Sequence, residues 1–161
     1  MIGTLLSVGY RGRTWEQVVD LLWPYRKGLT VVDCRRSCNR SPAMFRFKNL
    51  AFGFGVLGIG YDWPQGDLGN RGCRPGWLPA DWERAVLRVK ETAAALCEGR
   101  TVTLLCVEQD AKDCHRASIA TCVSDEVERR TGERVGVVHL GSKPDPTDRR
   151  KARDEWEAPE A

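Results

Sequence analysis

The stretch that decides the fold is Leu104–Ala120, "LLCVEQDAKDCHRASIA". It starts as an apolar run typical of a buried strand, crosses a polar loop and enters a helical pattern at Cys114. One strand–loop–helix junction therefore gathers five chemically distinct side chains, namely Cys106, Glu108, Cys114, His115 and Arg116. Such a concentration of thiol, carboxylate, imidazole and guanidinium groups indicates a functional site rather than a plain connection.

The same alternation of strand and helix extends over the chain in both directions. Strands are predicted at Thr4–Tyr10, Leu29–Arg35, Ile59–Trp63, Thr101–Val107 and Arg134–Leu140. Helices are predicted after Thr14 (an N-cap with Gln17 in capping-box position), from Ser41 to about Phe52, over Asp81–Cys97 and over Cys114–Arg130. Pro64–Pro79 is dense in glycine and proline, which predicts a long loop.

This order predicts the α/β class: a single three-layer domain over residues 1–140, with a mostly parallel sheet of about five strands. Residues 141–161 are charged and contain proline, which predicts a flexible tail. In parallel sheets of this kind, ligands bind beyond the carboxyl ends of the strands. The junction at Leu104–Ala120 is therefore expected to border the binding crevice.

Composition limits the function classes. The net charge of +3, from 25 basic and 22 acidic residues, does not require a nucleic-acid partner. No apolar run approaches the roughly 20 residues of a membrane-spanning helix, and no basic segment precedes the first apolar run as in a signal peptide. Seven cysteines, several of them inside apolar patterns, favour reduced thiols and predict a cytoplasmic protein without membrane association.

Several stretches carry a family resemblance: "SVGY", "VVDCR", "GIGYDWP", "LGN", the Cys-x-Glu…Cys-His-Arg block and "VVHL". In this order they resemble the domain of unknown function 488 family, over roughly Leu5–Leu140. The resemblance implies an α/β fold without an established activity. The matching positions are Gly9, Asp33, Arg35, Phe45, Tyr61, Leu68, Gly69, Cys106, Glu108, Cys114, His115, Arg116 and His139. Where the family commonly has histidine after the first-strand glycine, this chain has Tyr10.

The leading hypothesis is an enzyme that acts on a phosphate-containing or nucleotide-like ligand. Arg116 and Arg35 would hold the anion at a helix N-terminus, and the resemblance implies that Asp33 and Tyr61 belong to the same ligand-binding set. Glu108 and His115 would handle protons, while Cys114 or Cys106 would perform or tune the chemistry. The plainer alternative is that Arg116 pairs with Glu108 and only fastens the loop to the helix.

Other functions stay open. Cys34-x5-Arg40 matches the phosphate loop of cysteine phosphatases, although the residues between are bulky and lack glycine. Tryptophan and arginine alternate around Trp77 and Trp82, as in a non-catalytic module that binds nucleic acid or nucleotide. His139 is expected to be a hydrogen-bonded core residue. No cofactor is predicted, and a metal is disfavoured because adjacent cysteine and histidine rarely chelate one ion together.

Overall fold

The chain forms five parallel strands in one sheet, as seen in a computed structural model that describes residues 1–37, 41–71 and 76–141. The strands are β1 (Leu5–Gly9), β2 (Leu29–Asp33), β3 (Gly60–Asp62), β4 (Thr101–Cys106) and β5 (Val137–Leu140). Their spatial order is β3-β2-β4-β1-β5, so β4 is the central strand. The predicted α/β class with a parallel sheet is confirmed.

Among the described residues, four α-helices cover the sheet: α1 (Trp15–Leu22), α2 (Phe47–Val56), α3 (Trp82–Cys97) and α4 (Arg116–Thr131). Val18 of α1 and Phe54 of α2 pack in one apolar cluster. Val89 of α3 and Ile119 of α4 pack in the other. The sheet therefore lies between two helical layers, as expected for a chain whose strands are apolar on both faces.

Local signals are accurate at the start of α1 and at the end of α4. Thr14 caps α1 with the complete capping box, since its side chain accepts from the Gln17 N–H while the Gln17 side chain accepts from the Thr14 N–H. Gly132 ends α4 in the left-handed conformation with φ of 79°. The start of α4 is at Arg116, two positions after the predicted start, because a 3-10 turn at Ala111–Asp113 precedes it.

The predicted helix from Ser41 to Phe52 is wrong at both ends. A 3-10 turn at Ala43–Phe45 is followed by an extended Arg46, and α2 then runs from Phe47 to Val56. The helix continues through Gly53, although glycine is a poor helix former. A β-carbon at Gly53 would lie only 2.7 Å from the Trp15 ring, so close packing of α2 on α1 selects glycine there.

The helical spacing in α3 predicts one apolar face, made of Trp82, Val86, Val89, Ala93, Leu96 and Cys97. The structure buries only part of this face: Asp81 is the N-cap, and Trp82 and Val86 are exposed. The buried stripe is made of Ala85, Val89, Thr92, Ala93, Ala95 and Leu96. Trp82 contacts the edge of the Trp77 ring, with centroids 5.5 Å apart, rather than the core.

Two findings concern the ends and surroundings of the domain. Of the predicted tail, residues 141–161, only Gly141 lies within the described residues. Within the described part of the chain, no helix combines the length and apolar character required to cross a bilayer.

Candidate functional site

The candidate site lies at the carboxyl ends of β2 and β4, where the chain leaves the sheet in opposite directions. β2 leads toward α2 on one face, whereas β4 leads into α4 on the other. When the connections after two adjacent parallel strands lead to opposite faces of the sheet, a crevice opens beyond the carboxyl ends of those strands. A pocket of about 220 Å³ occupies it, and its walls include Arg36, Ser37, Cys106, Glu108, Cys114 and His115.

Two thiols and an imidazole meet in this crevice. Cys106 ends β4, Cys114 precedes α4, and all three side chains are buried. Nδ1 of His115 lies 3.9 Å from Sγ of Cys106 and 3.9 Å from Sγ of Cys114. The predicted catalytic cysteines and histidine are therefore brought together.

A backbone carbonyl orients His115. Its Nε2 lies 2.8 Å from the carbonyl oxygen of Cys34, a residue 81 positions earlier in the chain. Since a carbonyl only accepts, Nε2 carries the hydrogen and donates it. Nδ1 is left to face the sulfurs, where it accepts a proton from a thiol or, once protonated, donates to a thiolate.

The environments of the two thiols push their proton affinities apart. The pKa of Cys114 is lowered to about 4, chiefly by the hydrogen bond from Cys106 and further by His115, the Arg116 N–H and the Arg116 charge. The pKa of Cys106 is raised well above its ordinary value by its bond to Cys114 and by burial. The two opposite shifts belong to one interacting pair, and they favour a shared proton with the negative charge on the Cys114 side.

His115 supports the same assignment. Burial lowers the pKa of its imidazole, but the hydrogen bonds to Cys114 and to the Cys34 carbonyl outweigh burial and raise it. The lowered pKa of Cys114 and the raised pKa of His115 favour a thiolate–imidazolium pair at the start of α4. The partial positive charge at the N-terminus of α4 also stabilises an anion there.

Arg116 is completely buried and is bonded to protein oxygens. Nη1 donates to the Glu108 carbonyl, Nη2 donates to the Gln109 carbonyl at 3.0 Å, and Nε donates to Ser7 Oγ at 3.3 Å. It thus fastens the loop after β4 to the start of α4. The predicted alternative was an ion pair between Arg116 and the Glu108 carboxylate that holds the loop to the helix. Arg116 does hold the loop, but it bonds to backbone carbonyls instead of that carboxylate.

Arg35 and Asp33 form a buried ion pair with Nη2–Oδ2 at 2.5 Å, beside the crevice. Arg35 also donates to the Phe45 carbonyl at 2.6 Å, and Tyr61 donates to Asp33 at 2.6 Å. The Tyr10 ring stacks on Phe45 at 4.2 Å and lies 5.2 Å from the Arg35 guanidinium. Three of the four predicted ligand-binding residues, Asp33, Arg35 and Tyr61, therefore share one network.

Arg36, Glu108 and Asp113 are the accessible charges of the pocket, and Arg36 and Asp113 are exposed. The Glu108 carboxylate lies at the rim, 27% exposed, and pairs with Arg11 at 2.7 Å. Arg36 is exposed, and no carboxylate of the described residues pairs with it. The long loop reaches this rim, because Gly69 packs so closely on the Arg36 backbone that a β-carbon would lie 2.4 Å from its Cα.

His139 and Ser7 extend the network along the sheet. Ser7 Oγ, which accepts from Arg116, lies 2.6 Å from Nδ1 of His139 on the neighbouring strand β5. His139 is thus hydrogen-bonded, as predicted, although half-buried rather than fully enclosed. Ser7 was not predicted; its signal in the sequence is a lone hydroxyl inside the apolar strand "LLSVG".

The cysteine phosphatase alternative gains no support. Cys34 is fully buried in the apolar core, and its thiol points to the Val32 carbonyl at 3.6 Å. Burial raises the pKa of Cys34 well above the ordinary value, which disfavours the thiolate that a phosphatase nucleophile needs. Arg40 lies outside the described residues.

One group of described side chains has a spacing compatible with a metal ion. Sγ of Cys106, Sγ of Cys114 and a ring nitrogen of His115 all lie within 4.8 Å of one another. These are three donors, one fewer than the four of a closed tetrahedral zinc site. The same atoms also form the thiolate–imidazolium pair, so their spacing is accounted for without an ion.

Comparison with known proteins adds nothing to these observations: no protein-family model, no curated protein and no solved structure matches the chain. The resemblance to the domain of unknown function 488 family therefore stays a prediction.

Proposed function

We propose that this protein is a cysteine-dependent enzyme that acts on a small phosphate-bearing ligand, with Cys114 as the nucleophile. The observation that carries the proposal is the orientation of His115, which is held by the Cys34 carbonyl so that Nδ1 faces Cys114. A thiolate paired with an oriented imidazole at a helix start is the arrangement that activates cysteine for nucleophilic attack.

In the proposed chemistry, the Cys114 thiolate attacks an electrophilic carbon or phosphorus of the ligand. His115, protonated at Nδ1, gives its proton to the leaving group. The Glu108 carboxylate at the pocket rim then takes a proton from water while the water oxygen bonds to the same carbon or phosphorus; the bond to sulfur breaks, and Cys114 leaves as a thiolate. Cys106 remains protonated and donates to Cys114, so its role is to stabilise the resting thiolate.

Arg36 is the residue best suited to hold the anion. The donors of Arg116 and Arg35 are directed at carbonyls, Ser7 and Asp33, whereas Arg36 is exposed and lines the same pocket. The volume of about 220 Å³ is below the range of roughly 300–1,000 Å³ that encloses drug-sized ligands. We therefore assign the pocket to the phosphate end of the ligand, with the charge of Arg116 behind it.

Two broader assignments belong to the same proposal. Membership of the domain of unknown function 488 family agrees with the sequence motifs. A cytoplasmic location agrees with the free thiols of Cys34, Cys97, Cys106, Cys114 and Cys122, the cysteines that the structure describes. A nucleic-acid or nucleotide-binding module without catalysis is the rival prediction; exposed Trp82 is compatible with it, but nothing in the crevice favours it.

The test is the rate at which iodoacetamide alkylates Cys114 near neutral pH, followed by peptide mass spectrometry. We expect Cys114 to react faster than Cys97, and inorganic phosphate to slow the reaction by occupying the pocket. Arg36→Ala should weaken this protection. Lys27→Ala, which removes one exposed charge just before the amino end of β2, is the matched control and should keep it.

If Cys114 is alkylated no faster than Cys97, the assignment of Cys114 as the nucleophile is refuted. Equal protection by phosphate in the wild type and in Arg36→Ala would refute the anion site, and salt-dependent nucleic-acid binding by Cys114→Ser at the wild-type affinity would favour the binding module.

A further inference from the structure

The second thiol of the site has a chemical capacity that the proposed function does not use. Cys106 lies beside Cys114, with the two sulfurs no more than 4.8 Å apart. Both sulfurs border the same pocket, so a reagent that reaches one is next to the other. The proposed function uses Cys106 only to stabilise the Cys114 thiolate, so the reactivity of its own sulfur is not yet assigned.

We infer that Cys106 and Cys114 form a reversible redox pair, in which a hydroperoxide oxidises Cys114 and Cys106 closes a disulfide with it. This inference rests on the nucleophilic Cys114 of the proposed function and adds a modification site to it. In the oxidised state Cys114 has no thiolate, so the proposed activity is switched off until a dithiol reductant restores both thiols.

The chemistry balances in two steps. The Cys114 thiolate attacks the distal oxygen of the hydroperoxide; an S–O bond forms, the O–O bond breaks, and the alcohol leaves with the proton of the His115 imidazolium. Cys106 then attacks the Cys114 sulfenic acid; an S–S bond forms, and hydroxide leaves as water with the Cys106 proton. The two thiols supply the two electrons that reduce the peroxide.

The positions and burial of the thiols decide which cysteine pairs with Cys114 and how large the oxidant can be. Among the cysteines that the structure describes, Cys34 is a third thiol near the pair, but it is fully buried, points to the Val32 carbonyl and does not line the pocket. Cys106 and Cys114 are each 3% exposed, so a bulky disulfide would be excluded, whereas hydrogen peroxide fits a pocket of about 220 Å³. A modest approach brings the sulfurs from within 4.8 Å to the bond length of about 2.05 Å.

The experiment uses the full chain, reduced and treated with a chelator, then exposed to stoichiometric hydrogen peroxide. Non-reducing peptide mapping is expected to find Cys106 joined to Cys114, with a loss of two free thiols per chain that dithiothreitol reverses. In Cys106→Ser the disulfide should be absent, and dimedone should trap sulfenic acid at Cys114. Cys97→Ser and Cys122→Ser, which alter half-buried cysteines that do not line the pocket, are matched controls and should behave as wild type.

The wild-type map alone decides the outcome if Cys106→Ser fails to fold. A disulfide to Cys34, no disulfide at all, or one zinc ion per chain retained on the thiols after chelation would each overturn the redox pair. If Cys114 still alkylates rapidly in such a case, the inference fails and the proposed function stands. If Cys114 resists both iodoacetamide and peroxide, both fail.

Discussion

At Cys114, hydrogen bonding to three neighbouring groups lowers the pKa of the thiol. These groups are the Cys106 thiol, the Arg116 backbone N–H and His115, whose Nδ1 lies 3.9 Å from Sγ. Burial alone would raise the pKa of a thiol, but these bonds outweigh it. The balance of these effects makes Cys114, and not the equally buried Cys106, the charged sulfur.

The residue-scale prediction concerns the titration of Cys114, measured as the thiolate absorbance of the wild type minus that of Cys114→Ser. We expect the midpoint well below the ordinary thiol value of about 8.5. His115→Ala should raise it by about 1–3 units, because the imidazolium no longer stabilises the thiolate. His139→Ala, the other histidine of the chain, is the control and should leave it unchanged. A wild-type midpoint near 8.5 would contradict the assignment.

At the scale of elements, the end of β1 and the loop after β4 are packed with no room between them. A β-carbon at Gly9 would overlap the Glu108 carbonyl oxygen and would lie 3.0 Å from Nη1 of Arg116. That carbonyl is one of the acceptors that hold the buried guanidinium. Gly9 therefore sets how closely β1 approaches the loop that leads into α4.

The element-scale prediction is that Gly9→Ala lowers the free energy of unfolding by about 1–3 kcal/mol, the usual cost of forcing atoms into a packed interior. Gly136→Ala is the matched control, since no atom lies within 4 Å of its added β-carbon, and it should change stability by less than about 0.5 kcal/mol. Urea unfolding measures both. Equal stability of the two variants would show that the loop yields freely.

At the scale of the whole molecule, the buried Asp33–Arg35 pair joins parts of the chain that are distant in sequence. Asp33 ends β2 and accepts from Tyr61 of β3. Arg35 reaches Phe45 ahead of α2 and contacts the hydroxyl of Tyr10, which follows β1. One pair of charges thus connects the ends of three strands on the pocket side of the sheet.

The whole-molecule prediction is that Arg35→Met lowers the free energy of unfolding by about 3–5 kcal/mol, because it leaves the Asp33 carboxylate buried without its partner. Arg134→Met is the control: its side chain is 54% exposed and pairs with Asp125 and Glu128, so its loss should cost at most about 1 kcal/mol. Chemical denaturation compares them. A similar small loss in both would mean that water reaches Asp33 readily.

Much of the fold was predictable because its signals are local. The capping box at Thr14 involves residues three positions apart, and the apolar strands "LLSVG" and "TVTLLC" are recognisable within their own segments. The start of α2 was mispredicted because Pro42 is a favourable first helical residue, yet the chain at Arg46 is extended. The end of α2 was mispredicted because Gly53 indicates the end of a helix. The reason for a glycine there is the close contact with the Trp15 ring, and Trp15 is remote in sequence.

By itself, the sequence determined the α/β class, the parallel order of strand and helix, and the gathering of Cys106, Cys114 and His115 at a strand end and a helix start. These follow from periodicity and capping, which act over a few neighbouring residues. Only the tertiary structure decided the role of each charge. The orientation of His115 depends on a carbonyl 81 residues away, and the bonds of Arg116 depend on Ser7, 109 residues away. No local pattern encodes which guanidinium is enclosed by carbonyls and which faces the pocket, because burial and hydrogen-bond partners are properties of the packed chain.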